Sequence, residues 1–176
     1  MGRDQAEFAE FVAARSASLH RAAYLMVTDV SLAEDLVQEA LTKTYVAWPR
    51  LRDKGNADAY TRKAITTTAI SWYRRKRWNH ERSTAVPPEQ QSPGHADDAD
   101  ERTALWGCLQ QLPPRQRIAL VLRYYEDLTE AQTAEAMGCA IGTVKSQVSA
   151  ALTKLRLLIA DDDLDLLPLP DPTRTW

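Results

Sequence analysis

Apolar side chains recur at intervals of three and four residues along most of the chain, and this pattern restricts the fold more than any other feature. Such spacing places apolar residues on one face of an α-helix, whereas a strand requires strict alternation, which no segment shows convincingly. Hydrophobic residues make up 44% of the 176 residues, enough to fill a packed core. The pattern therefore predicts an all-α fold built from amphipathic helices.

The N-terminal half is predicted to contain three of these helices. The first has its apolar stripe over Phe8–Met26. The second covers Ser31–Trp48, where Ser31 and Glu34 form a predicted capping box at its start. The third begins at Asn56 and runs towards residue 78. Together these helices predict a small helical bundle over residues 1–82.

The helical pattern stops at residues 83–102, which contain three prolines, one glycine and five acidic residues against one arginine. This composition predicts a flexible acidic linker. Helical periodicity returns over residues 103–160, and residues 161–176 form an acidic, proline-rich tail. The sequence thus predicts two small helical domains, a linker and a tail, the second domain having four helices.

The second domain carries the pattern of a helix-turn-helix. Thr129 is a predicted N-cap for a helix over residues 130–137, Ala134 is the small residue at the helix crossing, and Gly138 suits a turn with positive φ. The residues predicted to anchor the second helix are apolar: Met137, Ile141, Val144 and Val148.

The outward face of that second helix is predicted to contact base edges in a DNA major groove. Gln147 can pair with adenine, and Lys145 with guanine or a phosphate. The alternative is an ordinary helical hairpin with a solvated polar face. Lys145 is the only basic residue from Gly138 to Ala151, so we expect this domain alone to bind DNA weakly. The candidate DNA-contacting residues are Thr143, Lys145, Ser146, Gln147, Ser149 and Lys154.

The formal net charge of −2 conceals a segregated charge pattern. Residues 1–82 hold fourteen Lys and Arg against ten Asp and Glu, and residues 71–82 alone hold five against one. A basic strip on an acidic chain indicates a polyanion-binding site.

Catalytic, metal and cofactor sites are not predicted. The three histidines are far apart, the two cysteines lack metal-ligand spacing, and no HExxH, GxSxG or phosphate-binding glycine loop occurs. No apolar run is long enough for a transmembrane helix, and the N-terminus lacks a signal core, so we expect a cytoplasmic protein without membrane insertion.

Three motifs occur in order: AEDLVQEALTKTYVAW, the aromatic and basic SWYRRKRW, and LPPRQRIALVLRYYEDLTEAQTAEAMGCAIGTVKSQVSAALTKLR. Together they resemble the extracytoplasmic-function (group 4) sigma factors of bacterial RNA polymerase. The likeness extends from about Phe8 to Ile159. It implies a region 2-like domain over residues 1–82 and a region 4-like domain over residues 103–160.

The resemblance implies that the helix over residues 33–48 docks on the β′ clamp helices of core RNA polymerase. Its exposed contacts would be Asp35, Gln38, Glu39 and Lys43, whereas Leu36, Val37, Leu41 and Val46 would face the core or the apolar centre of the contact. The second domain would read the −35 element and meet the β flap.

The resemblance also implies that the third helix recognises and melts the −10 element. Its candidate contacts are Arg62, Lys63, Thr67, Tyr73, Arg74, Arg75, Lys76 and Arg77. Basic groups suit the DNA backbone, and aromatic faces suit an unstacked base. Trp72 is expected in the core by its spacing from Ile65. Relatives often carry Asn at Thr67, and Arg at Gln147 or Ala150, so the promoter sequence is not predicted.

Several alternatives stay open at this point. The linker could thread near the polymerase active-site channel or be a solvated tether, and the tail could fold back and dampen activity or be disordered. Many relatives are held inactive by an anti-sigma factor, which is a possible partner here as well. The rival functions are a stand-alone helix-turn-helix regulator and a polymerase-binding protein without initiation activity.

Overall fold

The computed structural model describes residues 3–51, 54–82 and 106–161, and every regular element within these ranges is helical. This confirms the predicted all-α fold; the predicted linker lies outside the described residues, and so does the predicted tail apart from Asp161, which ends the last helix. The main helices are α1 (Arg3–Val27), α2 (Val30–Ala47), α3 (Ala57–Arg82), α4 (106–110), α5 (Pro114–Leu120), α6 (Glu130–Met137) and α7 (Ile141–Asp161). Short 3₁₀ turns cover Trp48–Arg50 and Lys54–Asn56, and Val121–Tyr125 is π-helical.

The start of α2 differs from the prediction, because Asp29 rather than Ser31 is its N-cap. The Asp29 side chain accepts a 2.8 Å hydrogen bond from the amide of Leu32. Thr28 has φ 59°, and its amide donates to the carbonyl of Tyr24 at 2.8 Å, which ends α1. The chain turns at Thr28, so the first free amides of α2 come within reach of Asp29. The predicted capping box at Ser31 is therefore wrong.

Helices α1, α2 and α3 form the N-terminal group, which has an apolar core. Leu19, Val37 and Ile65 are buried in it, one from each helix. The buried hydroxyls of Thr44 and Thr61 lie 2.8 Å apart and join α2 to α3 within this core. Each also lies within hydrogen-bond distance of a carbonyl one turn earlier, so neither buried hydroxyl lacks a partner.

Helices α4 to α7 form the C-terminal group, where α5 packs against α7. Cys108, Leu112, Leu152 and Leu155 are buried between them. The continuous helix predicted from Arg115 to Asp127 is instead an α-helix that passes into the π-helical segment, with its C-cap at Glu126.

The two groups of helices also share one apolar core. Leu19 and Met26 of α1 belong to the same buried cluster as Ile118, Leu122 and Met137 of the C-terminal group. Helix α1 contacts α5, and α3 contacts α6. The C-terminal group therefore packs directly on the N-terminal group, and no motif in the sequence predicts this contact.

Candidate nucleic-acid and partner interfaces

The predicted helix-turn-helix is present as α6, a tight turn and α7. Thr129 caps α6 with a full capping box: its hydroxyl accepts from the Gln132 amide at 3.2 Å, and its own amide donates to Gln132 Oε1 at 2.9 Å. Gly138 has φ 62°, a left-handed conformation that glycine adopts at little cost. Ala134 is buried at the helix crossing, as predicted.

The apolar anchors of α7 agree with the prediction except at its first residue. Met137 and Val144 are buried, and Val148 is half-buried. Ile141, however, is 46% exposed. It opens α7, and a side chain in a first helical turn leans towards the N-terminus, beyond the helix that would cover it. The prediction that Ile141 anchors the helix is therefore wrong.

The outward face of α7, here called the reading face, is polar and carries little charge. Lys145, Ser146 and Ser149 are exposed, while Thr143 and Gln147 are half-buried. The Nζ of Lys145 lies 3.5 Å from a carboxylate oxygen of Glu130.

Lys154, further along α7, points to its own domain. Its Nζ donates a 2.7 Å hydrogen bond to the carbonyl of Gln111. Lys145 is thus the basic group that the described structure places at the start of α7, where a major-groove helix contacts base edges.

Two of the basic residues predicted on α3 face the C-terminal group. Arg62 pairs with Asp58 at 2.8 Å, one turn earlier, and forms a second ion pair with Glu126. The Nζ of Lys63 lies 3.0 Å from Glu135 Oε1. Sequence reasoning missed both glutamates, which carried no signal beyond an ordinary solvated charge.

The rest of the basic surface of α3 is open. Arg74, Arg75 and Lys76 are exposed, and the ammonium of Lys76 lies 4.8 Å from the ring centroid of Trp72. Trp72 is half-buried, so its predicted place in the core is wrong. Thr67 is exposed, and its hydroxyl donates to the carbonyl of Lys63 at 2.8 Å. The side chain of Arg77 lies outside the described residues.

Tyr73 is engaged between the two groups of helices. Its hydroxyl donates to the carbonyl of Val27 at 3.0 Å and accepts from Arg117 at 2.9 Å. Burial raises the pKa of Tyr73, and the nearby Arg117 charge partly opposes that rise. Tyr73 is half-buried in this arrangement, and its hydroxyl is already hydrogen-bonded.

Helix α2 presents Asp35, Gln38, Glu39 and Lys43 on one exposed face, here called the docking face. Glu39 and Lys43 pair at 2.6 Å, and Lys43 also donates to Thr68 at 3.1 Å. Leu36 and Val37 are buried beneath this face, and Leu41 is half-buried.

The end of α2 exposes two large apolar residues. Val46 is 69% exposed, which removes it from the core, and Tyr45 is also exposed. Tyr45 packs against Phe8 of α1, with ring centroids 5.0 Å apart. The periodicity of α2 did not single out Tyr45. An exposed apolar patch bordered by polar residues is typical of a protein-binding surface.

Within the described ranges, no group of three or more His, Cys, Asp or Glu residues is placed to hold a metal ion. None of the described helices is long and apolar enough to cross a membrane.

Two family models match the chain, one for each group of helices. Residues 11–79 match sigma-70 region 2, and residues 102–155 match sigma-70, region 4. This chain belongs to the sigma-70 family of sigma factors. As a sigma factor, it binds core RNA polymerase and directs promoter-specific transcription initiation.

Similar proteins agree with this assignment. The RNA polymerase sigma-E factor of Streptomyces coelicolor is 39% identical over 163 residues, covering 90% of this sigma factor and 89% of that protein. The ECF RNA polymerase sigma factor SigL of Mycobacterium tuberculosis is 31% identical, with 83% and 85% covered. This sigma factor therefore belongs to the extracytoplasmic-function (ECF) group.

A solved structure is similar over both groups of helices. It is the sigma factor RpoE in complex with the anti-sigma factor NepR from Bartonella quintana, with a TM-score of 0.73, 26% identity, and 88% of this chain and 98% of that chain covered.

Proposed function

We propose that this sigma factor divides its work among three surfaces: the docking face of α2 for polymerase, α3 for the −10 element, and the reading face of α7 for the −35 element. The single observation that carries this proposal is that these helices present three chemically different faces. The docking face carries side chains of both charges and is followed by an exposed apolar patch. Helix α3 exposes consecutive cationic residues, and the reading face is polar and nearly uncharged.

The docking face suits the clamp helices of β′. Asp35, Gln38, Glu39 and Lys43 offer donors, acceptors and both signs of charge on neighbouring helical turns. Val46 supplies an exposed apolar side chain next to these polar residues, at the C-terminal end of α2. Protein interfaces typically combine an apolar core with a polar rim in this way.

Helix α3 suits single-stranded DNA at the −10 element. Arg74, Arg75 and Lys76 form an exposed cationic run that can follow phosphates, and Trp72 offers part of an aromatic face beside it. Backbone contacts from cations and stacking on aromatic rings are the usual means of holding an unstacked strand. Melting would then use binding energy, without catalysis by this chain.

The reading face suits recognition of duplex DNA, provided that polymerase and α3 contribute to the binding. Thr143, Ser146, Gln147 and Ser149 can discriminate base edges, but Lys145 supplies the cation at the start of α7. Joining a weak duplex contact to polymerase and to α3 makes the second binding event intramolecular, which strengthens the whole. The C-terminal group would also meet the β flap, and the protein would work in the cytoplasm.

The test is in vitro transcription on a library of genomic fragments, comparing core polymerase alone with core plus this protein. New discrete start sites are expected, and the aligned upstream regions give the −10 and −35 motifs. Asp35→Lys should reduce core binding and transcription at least tenfold. Glu10→Lys makes the same charge change on an exposed part of α1, outside the docking face, and is the matched control.

The outcomes separate the rival functions. Core binding without transcripts would indicate a polymerase-binding protein without initiation activity. Sequence-specific DNA binding that needs no polymerase would indicate a stand-alone regulator. Equal effects of Asp35→Lys and Glu10→Lys would remove the docking face from the proposal.

A further inference from the structure

Glu130 and Lys145 form an ion pair that joins the two helices of the helix-turn-helix. The Nζ of Lys145 lies 3.5 Å from Oε2 of Glu130. The side chains of Lys145 and Glu130 are 57% and 42% exposed, so a DNA phosphate can reach both. Glu130 belongs to the first turn of α6 and Lys145 to the second turn of α7. The sequence predicted a DNA contact for Lys145 but no role for Glu130.

The fold holds Glu130 at the start of α6 independently of Lys145. The capping box between Thr129 and Gln132 fixes the first turn of this helix around Glu130. A carboxylate in a first helical turn is also favoured by the positive end of the helix dipole. Lys145 has a flexible four-carbon side chain, so its ammonium is the member of the pair that can move to another acceptor.

The carboxylate of Glu130 lies where a docked duplex would bring its phosphates. In a helix-turn-helix complex the second helix enters the major groove, while the first helix crosses the DNA backbone. Glu130 is on the first helix, within reach of the cation on the second. A phosphate would bind the same ammonium group, because carboxylate and phosphate are both charged oxygen acceptors. Glu130 therefore competes with DNA for Lys145.

This competition matters because Lys145 is the charged residue of the reading face. The other candidate contacts there are uncharged: Thr143, Ser146, Gln147 and Ser149. Lys154 also has an acceptor, but the carbonyl of Gln111 is neutral and leaves the positive charge of Lys154 in place. A carboxylate instead cancels the charge of its partner, and a pair without net charge gains little from releasing the counterions of DNA.

We propose that Glu130 is a positioning residue that holds the Lys145 ammonium away from DNA phosphates in the free protein, and so keeps duplex binding weak until polymerase brings the reading face to the −35 element. This inference rests on the proposed function. In the polymerase complex the contact becomes intramolecular, and Lys145 exchanges the carboxylate for a phosphate. The exchange has a small cost because an exposed ion pair is weak. Glu130 thus limits binding of the free protein to DNA that contains no promoter.

Binding of the free, full-length protein to a short duplex of mixed sequence tests this role. Fluorescence anisotropy over a salt series gives both the affinity and its salt dependence. At low salt, Glu130→Gln should raise the affinity about threefold, the size expected for freeing one partner of an exposed ion pair. The salt dependence should increase by about one phosphate contact. Loosening of α6 in the variant would weaken DNA binding, so a folding defect cannot produce the expected result.

Two comparisons separate the ion pair from a general effect of charge. Asp127→Asn makes the same charge change at an exposed residue three positions before Glu130, and it should alter the affinity less than Glu130→Gln does. In a Lys145→Ala background, Glu130→Gln should change the affinity by less than about 1.5-fold, because the cation that it would free is absent. Equal effects of Glu130→Gln with and without Lys145, or equal effects of Glu130→Gln and Asp127→Asn, would overturn the proposal.

A measurement on the polymerase complex distinguishes this inference from the proposed function. The probe is a duplex containing the −35 element that the transcription experiment maps, and Lys145→Ala should weaken its binding. If it does, and Glu130→Gln leaves the free protein unchanged, the role of Glu130 is wrong and the reading face stands. If Lys145→Ala changes duplex binding neither in the complex nor in the free protein, the reading face is wrong and this inference is overturned with it.

Discussion

Arg117 donates a 2.8 Å hydrogen bond from Nε to the carbonyl of Met26, across 91 residues of chain. Its Nη groups reach the Tyr73 hydroxyl at 2.9 Å and the carbonyl of Leu112 at 3.1 Å. Arg117 is only 3% exposed, and burial lowers its pKa. A buried guanidinium is tolerated when its donors are engaged, and here one side chain joins α1, α3 and the turn after α4.

Removing this side chain should destabilise the whole fold. We expect Arg117→Ala to lower the free energy of unfolding by about 2–4 kcal/mol, because it leaves a cavity and several buried oxygens without donors. Urea unfolding followed by circular dichroism measures the change. Arg115→Ala, two residues earlier and exposed, should stay within about 0.5 kcal/mol of wild type. Equal effects of the two substitutions would contradict a structural role for Arg117.

Glu126 should make stability depend on pH. Burial raises the pKa of Glu126, the charge of Arg62 opposes the rise, Asp58 adds to it, and Arg15 opposes it. Because the folded-state pKa exceeds the unfolded value of 4.5, the folded chain binds this proton more tightly. Its contribution to stability is therefore fully present below pH 4.5 and is lost as pH rises through the folded-state pKa.

The substitution Glu126→Gln removes this ionisation. The melting temperature of the variant should rise relative to that of wild type as pH increases from 4 to 7. Arg62 keeps an ion-pair partner in the variant, because Asp58 still pairs with it. Thermal unfolding at three pH values checks this, with Glu10→Gln on the exposed surface of α1 as the control. A Glu126→Gln difference that shrinks with rising pH would show that the attraction to Arg62 outweighs burial.

Thr28 holds a conformation that suits glycine. Its φ of 59° places a β-branched residue in the left-handed region, at a cost of about 1–2 kcal/mol. Glycine would relieve that strain and lose about 0.5–1 kcal/mol through its more flexible unfolded chain. We expect Thr28→Gly to stabilise the protein by about 0.5–1 kcal/mol, as measured by urea unfolding. The control Thr153→Gly, in the middle of α7, should destabilise the protein. If Thr28→Gly also lowered the free energy of unfolding, the proposed strain at Thr28 would be wrong.

The two lysines of α7 should differ in their effect on DNA binding. Lys145 lies on the reading face, so Lys145→Ala in the polymerase complex should reduce the salt dependence of −35 duplex binding by about one phosphate contact. Lys154 donates to the carbonyl of Gln111, so Lys154→Ala should reduce it less. Fluorescence anisotropy over a salt series measures both slopes. A larger effect at Lys154 would mean that its ammonium leaves Gln111 to meet DNA.

Local signals in the sequence were sufficient for most elements. The apolar stripe over Phe8–Met26 predicted α1, and Thr129 and Gly138 predicted the ends of α6, because caps and turns depend on a few neighbouring residues. The N-cap of α2 was misplaced because Asp29 and Ser31 are both good capping residues. Only the backbone turn at Thr28 decides between them.

Local sequence signals could not predict the contact between the two groups of helices. Glu135 and Lys63 each look like a solvated charge, and nothing local indicates that they meet. Arg117 gave no sign that its partner would be a carbonyl near the end of α1. Long-range pairs between polar residues have no periodicity of their own, so Arg62 and Lys63 could be named as candidate DNA contacts while their partners Glu126 and Glu135 could not.

The bond between Arg117 and Met26 also has a consequence for the order in which the protein matures. Synthesis delivers α1, α2 and α3 well before α5, and N-terminal units usually fold first during translation. The N-terminal group must complete its bundle with Arg62 and Lys63 uncovered, because Glu126 and Glu135 have not yet been made. On the ribosome, these two cations of the nascent chain therefore stay open to other anions until the last third of the protein emerges.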